Sequence, residues 1–213
     1  MILERVAVRD ILETNSYFYI DENTGHGFLI DPGAEAEKLI QKINDNNWII
    51  EKILLTHGHF DHIGAVEALH NSLNIPYFIH KNGADYLNYV LYNLSAQFGR
   101  NIVLKEAEYL EDGDSVHLSK NDSVELRLIH VPGHTTDSSI FYDAKNCLAF
   151  VGDTIFKNSV GNTAFPGGDS QQLADSIFNK IFKLPSETVL YSGHSEETSV
   201  EIEKGRYSPF FGF

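Results

Sequence analysis

The sequence predicts a mixed α/β fold, two mixed sheets flanked by helices on their outer faces, in one domain spanning residues 1–213. Three observations predict it. Short β-rich runs alternate with segments that repeat apolar residues at helical spacing, in both halves of the chain. Several of those runs end on a glycine followed by a polar residue. No Pro/Ser-rich linker, low-complexity tract or repeat divides the 213 residues, which are 42% hydrophobic and 22% charged, enough apolar material for a substantial core.

Taken in order, residues 17–20 and 27–30 read as a hairpin around the polar turn 21–25. Asp31-Pro32-Gly33 breaks the second strand. A helix over 35–44 follows, with Ala36, Leu39, Ile40 and Ile43 on one face. Residues 49–55 form a short, mostly apolar run that reads as a buried strand and stops at Thr56-His57-Gly58-His59. The stripe Ile63, Val66, Leu69 and Leu73 predicts a helix from about residue 63. A strand over 76–80 and a helix over 84–94 come next, and 98–108 has no period to assign.

The second half is richer in strands, at 115–118, 124–131, 138–142 and 147–151, separated by Gly, Asn and Asp. Asp169 is placed to cap a helix running to Leu184, with Gln172 at its third position and Leu173, Ile177, Ile181 and Leu184 as its stripe. A last strand at 188–192 and a short helix at 198–204 close the pattern. Cys147, inside an apolar run, reads as a small core residue, and Tyr207, Phe210, Phe211 and Phe213 as packed against the domain or a subunit.

Charge and cysteine usage narrow the function. Sixteen Lys+Arg against thirty Asp+Glu give a net charge of −14, with no basic cluster to receive a polyanion, so nucleic acid is excluded as a partner. One cysteine supplies neither a disulfide nor a thiolate metal cage. Residues 1–11 mix charges into their apolar positions and lack a secretory apolar core, and no apolar run approaches the roughly 20 residues that span a bilayer. The expectation is a cytoplasmic protein that does not engage membranes.

Ten histidines are the oddity, and position sorts them. His57-Gly58-His59-Phe60-Asp61-His62 puts three imidazoles and a carboxylate within six residues, where a buried strand gives way to a helix. Loops at the carboxyl ends of strands are where α/β folds bind ligands, and imidazole and carboxylate suit zinc and other first-row metals. Four donors split in direction suggest two adjacent metals. Three more strand ends repeat the pattern of apolar run, glycine, donor: Gly133-His134, Gly152-Asp153 and Gly193-His194. His26, His70, His80, His117 and His130 lack a second donor at metal-like spacing, although His130 precedes His134 in the same loop.

THGHFDH, PGHT, GDT and a late GH, in that order, resemble the metallo-β-lactamase fold superfamily. The segments IDPGAEAEKL, GDTIF with PGGD, and GHSEETSVEIEK resemble its small glyoxalase II-like hydrolases. The resemblance runs from about residue 15 to 204 and implies the αββα metallo-β-lactamase sandwich. It further implies one metal held by His57, His59 and His134, a second held by Asp61, His62 and His194, and Asp153 bridging them. Where small relatives carry Gly-Arg-Thr-Asp before PGG, this chain has Gly161-Asn162-Thr163-Ala164.

Two divalent cations about 3.5–4 Å apart share a water and lower its pKa toward 7. The expected chemistry is therefore attack of a metal-bridging hydroxide on the carbonyl of a small ester or thioester, with the developing oxyanion stabilised by the metals. Asp61 is the expected catalytic residue, orienting the nucleophile as well as binding metal. Thr56, Thr135, Thr154 and Asp137 are candidates to fix imidazole tautomers. Zinc is the first choice of metal, with iron or manganese accepted by the same donors. The bound dications favour a small, anionic substrate. The alternatives are a mononuclear iron persulfide dioxygenase-like enzyme using His57, His134 and Asp153, and a lactone or β-lactam hydrolase.

Overall fold

Alternation along the strands decides which layer each side chain joins. The computed structural model describes residues 1–211, with side chains through Tyr207. Its first sheet contains β1 (Ile2–Arg9), β2 (Glu13–Ile20), β3 (His26–Ile30), β4 (Ile49–Leu54), β5 (Tyr77–His80) and β6 (Glu108–Leu110), in that spatial order. In β2, Phe18 and Ile20 face outward to a core shared with Leu39, Ile43, Val66 and Leu69, while Tyr17 and Tyr19 face inward. Leu29 of β3 and Ile53 of β4 join the outer core, and Phe28, Ile30 and Leu54 the inner one. The outer core is covered by α1 (Ala36–Asn46) and α3 (Val66–Leu73), the latter preceded by the single turn α2 (Phe60–Ile63).

The second sheet contains β7 (Ser115–Leu118), β8 (Asn121–His130), β9 (Ser139–Asp143), β10 (Leu148–Gly152), β13 (Val189–Ser192) and β14 (Thr198–Ser199), ordered β14-β13-β10-β9-β8-β7. Between β10 and β13 lie the small hairpin β11 (Ile155–Phe156) and β12 (Ser159–Val160) and the helix α5 (Ser170–Asn179). Phe141 and Phe150 face the first sheet. Ile140, Ala149 and Val151 face out, onto Leu173 and Ile177 of α5 and Val200 of α6 (Val200–Phe211). The layers are helix, sheet, sheet, helix, as expected. Both sheets are mixed: β3, β4, β5 and β6 run parallel, as do β10 and β13, and the other pairs are antiparallel.

Several local expectations change. The opening segment is a full strand, β1, paired to β2 from Ile2↔Ile20 to Arg9↔Glu13. The helix expected over 84–94 stops after α4 (Ala84–Asn88). Tyr89, Leu91 and Tyr92 are exposed and give a longer helix no apolar face to bury. The buried amide of Asn93 instead donates to the carbonyls of Tyr86 and Ile102, at 2.8 and 2.9 Å, competing with helical bonding. The helix expected from residue 63 begins at Phe60 and breaks where Ala65 N–H donates to the Pro32 carbonyl, 3.0 Å away.

Asp169 does cap α5, accepting from the Gln172 amide at 2.9 Å, but the helix ends at Asn179 and passes into a 3₁₀ turn, Ile181–Lys183. The unassigned stretch 98–108 is almost all irregular and leads into the edge strand β6, which begins at its last residue, Glu108. Cys147 sits in the turn before β10 at φ +50 and is partly exposed, not in the core. Tyr207 packs against Phe182, ring centroids 6.3 Å apart; Phe213 and the side chains of Phe210 and Phe211 lie outside the described residues. Among the described residues, no helix is long and apolar enough to cross a membrane.

Candidate metal centre

Both sheets aim strand ends at the same edge of the sandwich. The carboxyl end of β4 delivers His57 and His59, and the turn α2 carries Asp61 and His62. From the second sheet, β8 leads to His134, β10 to Asp153 and β13 to His194. All seven sequence-predicted residues are brought together. They form the groups His57–His59–His134, His57–His62–Asp153 and Asp61–His62–His194, the donor atoms of each group lying within 4.8 Å of one another.

In the first group, His59 Nδ1 lies 3.2 Å from His57 Nε2 and 3.0 Å from His134 Nε2. In the other, Asp61 Oδ2 lies 3.1 Å from His194 Nε2 and 3.9 Å from His62 Nε2. Asp153 reaches both: Oδ1 is 3.3 Å from His62 Nε2, and Oδ2 is 3.2 Å from His194 Nε2 and 3.8 Å from His134 Nε2.

These residues fit a bound cation. His62 Nε2 and Asp153 Oδ1 are buried and face each other at 3.3 Å without hydrogen-bond geometry, an arrangement that a cation between them would satisfy. Burial, joined by the neighbouring imidazoles, depresses the His57 pKa well below its ordinary value and that of His59 to about 3. Neutral rings with lone pairs converging on one point satisfy a metal and not one another. On the other side, burial opposes charge on His62, yet Asp153, Asp31 and Asp61 hold its pKa well above the usual range. His194 rises likewise to about 10 against burial, through Asp153 and Asp61. Asp153 stays well below the ordinary carboxylate range despite burial, held there chiefly by His62.

Gly193 is part of the design for a steric reason. A Cβ there would sit 2.4 Å from Asp153 Oδ1 and 2.6 Å from His62 Cε1. The preceding Gly152 turns at φ +50, a conformation L side chains rarely adopt.

The outer nitrogens of four rings are fixed by groups that orient metal-binding histidines. His57 Nδ1 lies 3.1 Å from Thr56 Oγ1, as expected for Thr56. His62 Nδ1 lies 3.0 Å from Asp31 Oδ2, His134 Nδ1 donates to the Asn162 carbonyl at 2.6 Å, and His194 Nδ1 to the Glu13 carbonyl at 2.7 Å. Sequence reasoning missed these three partners. Asp31 stood in the quoted IDPG segment, but two of the donated bonds end on backbone carbonyls, which no side-chain pattern marks.

Thr135, Thr154 and Asp137 do not play the expected role. Thr135 Oγ1 bonds Ser138 Oγ at 2.6 Å, and Thr154 Oγ1 makes no hydrogen bond. Asp137 is buried behind Gly58, and burial pushes its pKa up to about 7. His26, His70 and His117 are absorbed by ordinary contacts with Glu51, Glu106 and the Asp122 carbonyl.

Aromatic rings flank the cluster. Phe165 stands edge-on to His59 at 5.7 Å, and Phe156 lies 6.1 Å from His194. His194 is the most open of the seven, its side chain 26% exposed, so the cluster opens to solvent on the side of Asp61 and Asp153.

Comparison with known proteins agrees with this geometry. A sequence model of the metallo-beta-lactamase superfamily matches residues 9–194. The hydroxyacylglutathione hydrolase GloC of Haemophilus influenzae is 31% identical over 213 residues, covering 99% of this chain and 98% of its own. The crystal structure of BLEG-1 B3 metallo-beta-lactamase superposes with a TM-score of 0.89 at 32% identity, covering all of both chains. That of TTHA1623 in a di-iron-bound form gives 0.84 at 31% identity, covering 98% of this chain and all of that one.

Proposed function

This chain belongs to the metallo-beta-lactamase superfamily, and from that premise we propose that it is a dinuclear metal-dependent hydrolase of a small ester or thioester, glyoxalase II-like in its reaction. The observation that carries this reading is Asp153, whose two oxygens face ligands of both groups. His57, His59 and His134 would hold one metal, and Asp61, His62 and His194 the other. The N/O donor set suits zinc, iron or manganese, and likeness to a di-iron-bound structure keeps iron beside zinc.

When bound, the metals supply a water acidified toward neutrality and Lewis-acidic stabilisation of the carbonyl oxygen. The chain's residues do the rest. Asp61, whose Oδ2 accepts from Thr14 Oγ1 at 3.1 Å and lies beside the open His194, orients the attacking water. Hydrolysis then adds a hydroxyl to the acyl carbon, breaks its bond to sulfur or oxygen, and returns the proton to the departing thiol or alcohol. Phe165 and Phe156 give the site two partly buried apolar walls, beside His59 and His194.

The substrate is a small molecule, and its class follows from the local charge: two dications in a chain of −14 favour an anion at one spot. Asn162 and Ala164 bring no charge to the loop beside His134, so S-lactoylglutathione is one candidate among acyl thioesters. Similarity to BLEG-1 makes β-lactams and lactones the second class to assay. The test is metal content of the isolated protein, followed by a thioester, lactone and β-lactam panel. Two metals per chain and metal-dependent thioester hydrolysis support the reading. One iron per chain with oxygen consumed on a persulfide would replace it.

A further inference from the structure

Two histidines outside the candidate ligand groups meet at the edge where the metal centre lies. His80 is the last residue of β5 in the first sheet, and His130 the last of β8 in the second. Their rings stack across the gap between the sheets, centroids 3.9 Å apart and planes within 10°. No sheet hydrogen bond joins these strands.

Each ring is held by a directional contact. His80 Nδ1 accepts from the Asn82 amide at 3.3 Å, which leaves its proton on Nε2. His130 Nε2 donates to the Thr136 carbonyl at 2.8 Å. That carbonyl also accepts from the Asn82 side chain at 3.2 Å, and the Thr136 amide donates to Tyr86 Oη at 3.1 Å. Thr136 lies two residues beyond His134. The His130 backbone is fixed in turn by Asp112 Oδ1 at 2.9 Å and Lys180 Nζ at 2.5 Å.

The ligand groups explain why such a brace matters. His59 follows β4 in the first sheet and His134 follows β8 in the second, yet their nitrogens meet at 3.0 Å. A small slip of one sheet over the other, or of the 131–138 loop, opens that group. His80 sits on the strand beside β4, and His130 on the strand that delivers His134. We propose that the stacked His80–His130 pair is a positioning element for the metal ligand His134, clamping the Thr136 carbonyl so that the first-sheet and second-sheet ligands stay in register.

Burial keeps both rings neutral, His80 at about 4 and His130 below its ordinary value, so they stack without mutual repulsion. Lys81, Lys180, Asp112 and Glu111 are the charged groups facing them. The inference rests on His134 being a ligand and not on the reaction catalysed.

The test titrates metal-free wild type, H130F, H130Q and H80F with Co²⁺, followed by visible absorption, and with Zn²⁺ against a competing chelator. H130F keeps a ring to stack but loses the donor to Thr136; H130Q keeps a donor. Expected is a loss of affinity of about tenfold or more in H130F, within the range for groups that orient a ligand. The Co²⁺ spectrum should change and the melting temperature stay close to wild type, with part of the affinity restored in H130Q. Amide exchange across 131–138 should quicken in H130F and H80F while the rest of the second sheet keeps its rates.

Affinities within twofold of wild type in all three variants, or exchange that quickens evenly over the sheet, would overturn the proposal. Should H130F not fold, H80F and H130Q carry both measurements. A protein that binds metal yet hydrolyses nothing on the panel refutes the proposed function and leaves this inference standing. Unchanged metal affinity with full hydrolysis does the reverse.

Discussion

Asp31 Oδ2 lies 3.0 Å from His62 Nδ1, and the same carboxylate takes the amide and hydroxyl of Thr56 at 2.8 and 2.7 Å. Because Thr56 Oγ1 also meets His57 Nδ1, one buried carboxylate orients a ring in each ligand group. Asp31 adopts φ +48, which Asn tolerates as well as Asp does. Asp31→Asn therefore changes the hydrogen bonding without new backbone strain. Its amide group cannot accept where an oxygen stood. The expected result is a fall in metal affinity of about 10–100-fold and a loss of about 2 kcal/mol of stability, read by chelator competition and urea unfolding. Unchanged affinity would show that Asp31 does not set the rings.

Gly193→Ala tests the steric side of the same centre. The new methyl would press on Asp153 Oδ1 and His62 Cε1, both pinned by neighbours, so the ligands must part. Metal content of the purified variant should drop below half of wild type while far-UV circular dichroism is retained. A variant that loads fully would mean that the strand end after β13 yields more readily than its contacts suggest.

How much of this was legible beforehand depended on periodicity and donor type. β10 is an uninterrupted apolar run and β4 a mostly apolar one, and every expected ligand was a side chain at or just beyond a strand's end, so the centre could be read from residues. Less visible was whatever depends on contacts between distant segments. β1 alternates only weakly and gains its place by pairing with β2 along its whole length. The helix expected through residue 94 is sound by composition, but Tyr89, Leu91 and Tyr92 stay exposed and bury no apolar face against the domain. The carbonyls of Asn162 and Glu13 leave no trace in sequence, and neither did the stack of His80 on His130, 50 positions apart but 3.9 Å in space.

Thr14→Val tests the role given to Asp61. Valine keeps the shape but removes the hydroxyl that donates to Asp61 Oδ2. A hydrogen bond to a charged group contributes about 1.5–3 kcal/mol, and about 1.4 kcal/mol is a factor of ten in rate. With metal content unchanged, kcat on the best thioester of the panel should fall about tenfold while KM stays within about threefold. A fall in KM-limited binding alone, with kcat intact, would remove Asp61 from the orienting role.

Acid should weaken the fold in part through His80. Burial, aided by His130 and Lys81, sets its folded-state pKa at about 4 against an ordinary value of 6.5. A lowered histidine means that the folded state excludes a proton which the unfolded chain accepts. The stability from neutral His80 is thus fully present above pH 6.5 and is lost progressively as pH falls toward 4. Other groups, the metal ligands among them, titrate in the same window, so the comparison is between metal-free wild type and metal-free H80F. The urea midpoint of wild type should fall more steeply between pH 6.5 and 4.5 than that of H80F, which has no proton to exclude. Parallel slopes would show that His80 takes up its proton as readily folded as unfolded, and would remove it from the acid response.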